Sequence, residues 1–269
     1  MLQQAIDFKN ESDSLYKILK NIKDDTFRKE TQFKSWTIND VLYHLHVWNN
    51  AALLSLKSEN KFQEFLQDFI SAVQSGISPR DYEKKLSENI DGQELLFLWK
   101  KNYEMVSDEF SISDPKKRVK WAGPDMSVRS SITARLMETW AHGQEIYDQL
   151  GLNRVEDDRI KNIVVIGMNT FGWTFANRNL AVPEKMPRLF LLSPSKVKWE
   201  WNKDNKEDSI TGNASEFCQV VTQVRNIEDV NLNVSGDIAN DWMSIAQCFA
   251  GGAETPPQPG TRKKVTKQS

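Results

Sequence analysis

The stretch Ala134-Arg135-Leu136-Met137-Glu138-Thr139-Trp140-Ala141-His142-Gly143-Gln144-Glu145 decides how this chain is read. It lies within a helical pattern of about residues 128–150, whose apolar members Ile132, Leu136, Trp140, Tyr147 and Leu150 share one stripe. Ser127 or Ser130 can cap the start of this helix, and Gly151 stands where a left-handed C-terminal residue is expected. Glu138 and His142 are four residues apart, so carboxylate and imidazole project side by side, as when one helix offers two ligands to one ion. Spacing alone would equally describe a solvated polar face, with Arg135 and Glu145 close to the same line. The small residues Ser131, Ala134 and Ala141 beside that line let another helix approach, which gives an alternative in which the polar stripe faces inward.

Upstream, helical spacing of apolar residues marks segments near 2–21, 38–57, 60–74 and 92–110, with hardly any strand signal. Thr37 precedes Ile38-Asn39-Asp40, so its hydroxyl can cap the second segment while Asp40 sits near the positive end of the helix dipole. Up-and-down helices with short connections, one longer excursion at 75–92 and a loop at 111–127 predict a four-helix bundle. On the second helix His44 lines up with Val41, Trp48, Ala51 and Ala52, whereas His46, about 200° away around the axis, keeps company with Asn49 and Asn50. A single histidine on an apolar stripe is commonly a satisfied core residue. With the second and fifth helices as neighbours, however, His44, Glu138 and His142 become a two-histidine, one-carboxylate set with coordination positions left open.

Beyond Gly151 the pattern changes. Residues 157–178 read as a helix, 187–192, 196–201 and 231–234 as strands, and 213–224 and 236–249 as helices. The expected fold class is therefore α+β: a helical bundle over 1–152 and a smaller α/β domain over 153–250. Residues 251–269, with Pro256, Pro257, Pro259 and four basic side chains but no apolar period, are expected to be a disordered tail.

Composition narrows the function. The 269 residues carry 35 basic and 37 acidic side chains, a balance that gives no field to hold a nucleic acid. No run is apolar enough to span a bilayer and the N-terminus does not read as a signal peptide, so the default expectation is a cytoplasmic protein with no membrane partner. Cys218 and Cys248 stand far apart in apolar helical patterns, which excludes a disulfide framework and a cysteine metal cage. Neither a phosphate-binding glycine loop nor a serine-nucleophile elbow occurs. Of the nine tryptophans, Trp36, Trp48, Trp99, Trp140 and Trp242 fall in or beside helical patterns and are expected in the core. The loop Trp121-Ala122-Gly123-Pro124-Asp125-Met126-Ser127 leads into the Glu138 helix and is expected to shape a pocket rim.

That loop and the 134–145 stretch resemble a metal-binding subfamily of the mycothiol-dependent maleylpyruvate isomerase superfamily. Trp36-Thr37-Ile38-Asn39-Asp40-Val41-Leu42-Tyr43-His44-Leu45 resembles its histidine-bearing second helix, and Phe217 to Gln223 with Trp242 to Gln247 resemble its C-terminal half. The resemblance implies a DinB/YfiT-like N-terminal bundle, a sterol-carrier-like C-terminal domain, and His44, Glu138 and His142 as metal ligands. His46 is not carried over. It also implies a catalytic arginine in the C-terminal domain, for which Arg225 stands as candidate although Val224 replaces the first of two adjacent basic residues; a surface arginine favoured by a helix C-terminus is the plain alternative.

The expected function is a divalent-metal enzyme, with zinc as the expected ion. A low-molecular-weight thiol would serve as co-substrate in transfer to, or isomerisation of, a small electrophilic and carboxylated substrate, with Trp121, Met126 and Arg135 as substrate-binding candidates. Mycothiol itself is implied by the resemblance alone. Two alternatives are metal-assisted hydrolysis with a base such as Glu145, and non-catalytic binding of a metal or small ligand.

Overall fold

A computed structural model describes residues 1–266, and the chain divides into two compact units, Met1–Gln149 and Leu150 onward. The first unit is helical: α1 (Gln3–Leu19), α2 (Ile38–Lys57), α3 (Glu59–Gln74), α4 (Pro79–Leu86), α5 (Gly92–Ser111) and α6 (Val128–Gln149). Helix α1 packs against α5 and α6, and α2 packs against the same two, so these four close a bundle around Phe8, Val41, Leu45, Trp99, Tyr103, Leu136 and Trp140, all fully buried. Consecutive members α1 and α2 thus face each other across the bundle, as do α5 and α6. This differs from the expected short up-and-down connections. The segments 20–37 and 112–127 supply the length for both crossings, the second carrying a hairpin of β1 (Arg118–Val119) and β2 (Met126–Ser127).

The local starts follow their sequence signals. Thr37 and Asp40 form a reciprocal capping box, the Asp40 amide donating to Thr37 Oγ1 (3.1 Å) and the Thr37 amide to Asp40 Oδ2 (2.8 Å). Ser127 Oγ accepts from the Ser130 amide, and Gly151 takes φ +66° beyond α6. Helix α3 stays outside the bundle and packs on α2 and α4, with Phe62 its one buried residue. Helix α4 falls in the stretch expected to be a connection. It has a signature of its own: Ser78 caps it through the Asp81 amide (3.1 Å) and Pro79 occupies the first turn.

The second unit contains α7 (Lys161–Asn169), α8 (Phe171–Ala176), β3 (Arg188–Leu192), β4 (Lys198–Trp201), β5 (Ser209–Asn213), α9 (Ala214–Val221), β6 (Asn233–Ser235) and α10 (Asp237–Ile245). The sheet order is β4-β3-β5-β6, with β3 and β5 parallel and the other pairs antiparallel. Leu189, Leu191, Trp199 and Ile210 lie on its buried face. The helix expected over 157–178 is interrupted at Thr170, whose hydroxyl bonds back to the carbonyls of Ile166 and Gly167, a competitor to the helical ladder. Of the tail expected over 251–269, residues 267–269 lie outside the described residues. Residues 251–266 form no helix or strand, yet Asn226 Nδ2 donates to the Pro257 carbonyl (2.8 Å), Arg262 Nη1 to the Gln223 carbonyl (2.8 Å) and the Gly260 amide to Asp229 Oδ1 (2.8 Å). Prolines that deny this segment a ladder still leave its carbonyls free to accept from side chains.

Candidate metal centre

The first unit brings His44, Glu138 and His142 together, with one donor atom from each lying within 4.8 Å of the others. His44 Nε2 is 3.5 Å and His142 Nε2 3.4 Å from the same oxygen, Glu138 Oε2. Those separations are long for hydrogen bonds. They match the spacing of about 3.3 Å between ligands that tetrahedral coordination at 2.0–2.1 Å requires. Two imidazoles and one carboxylate suit zinc and its first-row neighbours, and fewer than four protein ligands leave room for a further one. Burial of both faces of α6 makes this possible: Ile132, Leu136 and Trp140 fill the core on one side, and the polar line faces inward on the other.

Helix α4 adds a residue that the sequence did not single out. Glu83, 2% exposed, bonds through Oε1 to His44 Nδ1 (2.9 Å) and accepts from Trp48 Nε1 (2.8 Å). A metal-ligating histidine characteristically engages a carboxylate through its other nitrogen, which fixes tautomer and ring plane. The Ser78-Pro79-Arg80-Asp81 signature could have announced the helix, but not the direction in which Glu83 points. Burial disfavours the charged form of His44, yet the flanking Glu83 and Glu138 outweigh it and push its pKa up to about 9. Glu138 is likewise opposed by burial but held well below the usual carboxylate range by the two imidazoles beside it and by the nearby Arg135. Burial lowers His142.

Aromatic rings wall the site. Trp36 stacks on His142 (5.8 Å between centroids, 3° between planes) and meets His44 edge-on at 5.4 Å, while Phe33 meets His142 edge-on at 5.1 Å. Trp36 and Trp48, both expected in the core, are half-buried; Trp99, Trp140 and Trp242 are fully buried. Trp121 is half-buried, stacked on Phe62 (5.8 Å) and 5.6 Å from Trp48, one ring removed from His44. Met126 is half-buried in β2 opposite Val119. Arg135 is buried and gives Nε to Asn49 Oδ1 at 3.0 Å. His46 points elsewhere, its Nε2 3.2 Å from Asn50 Nδ2. Glu145 is buried on α6. Arg225 belongs to the second unit, where its Nη1 donates to the Val224 carbonyl (3.0 Å).

A helical bundle that gathers two histidines and one carboxylate, followed by a small mixed sheet unit, defines a class of α+β proteins with a polar cluster built into the bundle. Residues 8–147 match the model of the mycothiol maleylpyruvate isomerase N-terminal domain, and the chain belongs to that family. Two uncharacterised proteins from two strains of Mycobacterium tuberculosis are each 33% identical over 245 residues, covering 91% of this chain and 94% of theirs. The crystal structure of the mycothiol-dependent maleylpyruvate isomerase superposes with a TM-score of 0.52 at 14% identity, covering 81% of this chain and 87% of that one. A mutant of the same enzyme, with a histidine replaced by alanine, gives the same values. The likeness extends to the fold of both halves.

Proposed function

We propose that the protein is a metal-dependent enzyme that uses a low-molecular-weight thiol to transfer to, or isomerise, a small electrophilic substrate. The observation that carries this reading is the convergence of His44, Glu138 and His142 within 4.8 Å, in a chain whose family is named for a mycothiol-dependent isomerase. A divalent ion held by these three, zinc on this reading, would supply the positive charge that keeps a thiol deprotonated near neutral pH. The chain's own groups then have definite tasks. Glu83 orients His44, Trp36 and Phe33 exclude water from the imidazoles, and Trp121 with Met126 shapes the rim. Arg225 is assigned the neutralisation of a substrate carboxylate on the strength of the family resemblance. Addition of the thiol sulfur to an unsaturated carbon gives transfer; its later elimination, after rotation about the new single bond, gives isomerisation and returns the thiol.

The test is cobalt substitution of the full chain followed by titration with mycothiol, bacillithiol and glutathione. One of them is expected to produce a sulfur-to-metal charge-transfer band, and His142→Ala is expected to abolish metal binding where His46→Ala does not. A cobalt-loaded protein that shows no band with any of the three refutes the thiol-dependent reading. Full metal occupancy in the His142 variant refutes the ligand set.

A further inference from the structure

Arg135 is the least satisfied charge described in the first unit. Its side chain is 2% exposed, and the one hydrogen bond it makes is from Nε to the neutral Oδ1 of Asn49. Nη2 is enclosed with no partner, and among the described residues no carboxylate comes within ion-pair distance of the guanidinium. Arginine is almost never fully buried unless paired, and a guanidinium escapes the cost of burial poorly because it does not readily give up its proton. Glu138 and Glu83 act on it through space alone, and other polar atoms around it are unsatisfied as well. Asn49 Nδ2 is buried without a partner, as are the hydroxyls of Ser131 and Thr139, one turn to either side of Arg135 on α6. Arg135 stands three positions before Glu138, which places it on the same stripe of α6, and its field acts on Glu138 and His142.

We propose that Arg135 and Asn49 form a carboxylate-binding subsite beside the metal position, the ligand's carboxylate accepting from Arg135 Nη2 and Asn49 Nδ2. The preferred ligand is then an anionic one that presents its carboxylate here while its reacting end lies at the three metal-ligating residues. This deepens the proposed function and rests on it for the identity of that reacting end. The carboxylate can belong either to the thiol or to the electrophile, and two pairs of probes separate these sources: 3-mercaptopropionate against 3-mercapto-1-propanol, and crotonate against crotonamide.

Binding to the zinc-loaded full chain is measured by calorimetry. A charge-assisted, bidentate contact predicts a preference of about tenfold or more for the carboxylate in at least one pair, the pair identifying the source. Asn49→Asp gives Arg135 an internal counter-ion in nearly the same volume, and removes no hydrogen bond because Nδ2 has no partner. That variant is expected to unfold at a higher temperature, to keep its zinc and its affinity for the neutral probes, and to lose the carboxylate preference. Arg135→Gln is expected to lose the same preference. Equal affinities within both pairs in the unaltered protein, or a preference that survives in both variants, overturns the subsite. If neither thiol binds, the thiol-dependent reading falls while the crotonate pair still decides the subsite.

Discussion

Glu83 gives one carboxylate oxygen to both His44 and Trp48, and so couples a helix outside the bundle to a histidine inside it. Removing such a partner typically weakens metal affinity by about 10–100-fold, and that loss is expected for Glu83→Ala. Trp48→Phe deletes the second donor but leaves His44 its carboxylate, so a smaller loss is expected. Competition with a chromophoric chelator measures both; an alanine variant that holds metal as tightly as the unaltered protein would show that His44 needs no orientation. The pairing of Glu138 with His142 was legible because a four-residue step on a helix is a geometric statement. Glu83 was not, since a lone carboxylate in Asp81-Tyr82-Glu83-Lys84 gives no sign of which way its helix will turn. Trp36 shows the converse limit: an aromatic ring flanking a helix start looks the same in sequence whether it fills a core or stacks on a ligand.

At the level of elements, the start of α10 depends on a contact between distant segments. Asp208, ahead of β5, accepts from the Ala239 amide in the first turn of α10 (3.2 Å), and Gly236 makes room for it with φ +94°. A Cβ at Gly236 would lie 2.3 Å from Asp208 Oδ1 and 2.5 Å from the Glu207 carbonyl oxygen. Gly236→Ala is therefore expected to destabilise the second unit by about 2–4 kcal/mol, through backbone strain and a displaced cap. Gly123→Ala, where a Cβ meets nothing within 4 Å, is expected to stay within about 0.5 kcal/mol of the unaltered protein. Urea unfolding checks both, and equal midpoints would refute the account. The same region shows why β5 escaped the sequence reading. Ser209-Ile210-Thr211-Gly212-Asn213 is short and contains glycine at φ +149°, so its strand character comes from pairing with β3 and β6 rather than from its own composition.

Across the whole molecule, the C-terminal segment contradicts its composition. Gln223 Nε2 donates to the carbonyls of Ala246 and Glu254, Glu254 returns its amide to Gln247 Oε1, and Asn226 and Arg262 fasten the chain further along. Truncation after Gly252 removes the contacts beyond it and leaves buried donors such as Gln223 Nε2 with fewer partners, so a loss of about 2–4 kcal/mol is expected in urea unfolding of the second unit. An unchanged midpoint would show that the segment only rests on the surface. The bundle carries a different long-range link. His44 stands on α2 and the Glu138–His142 pair on α6, with α3, α4 and α5 threaded between them. An ion joining these side chains closes that entire stretch into a loop, and a cross-link over a loop of this order removes about 4–5 kcal/mol of unfolded-chain entropy. Both cysteines are free, so on the proposed reading the task that a secreted protein gives to a disulfide would fall here to that ion. Stripping such an ion would then shorten the lifetime of the folded bundle.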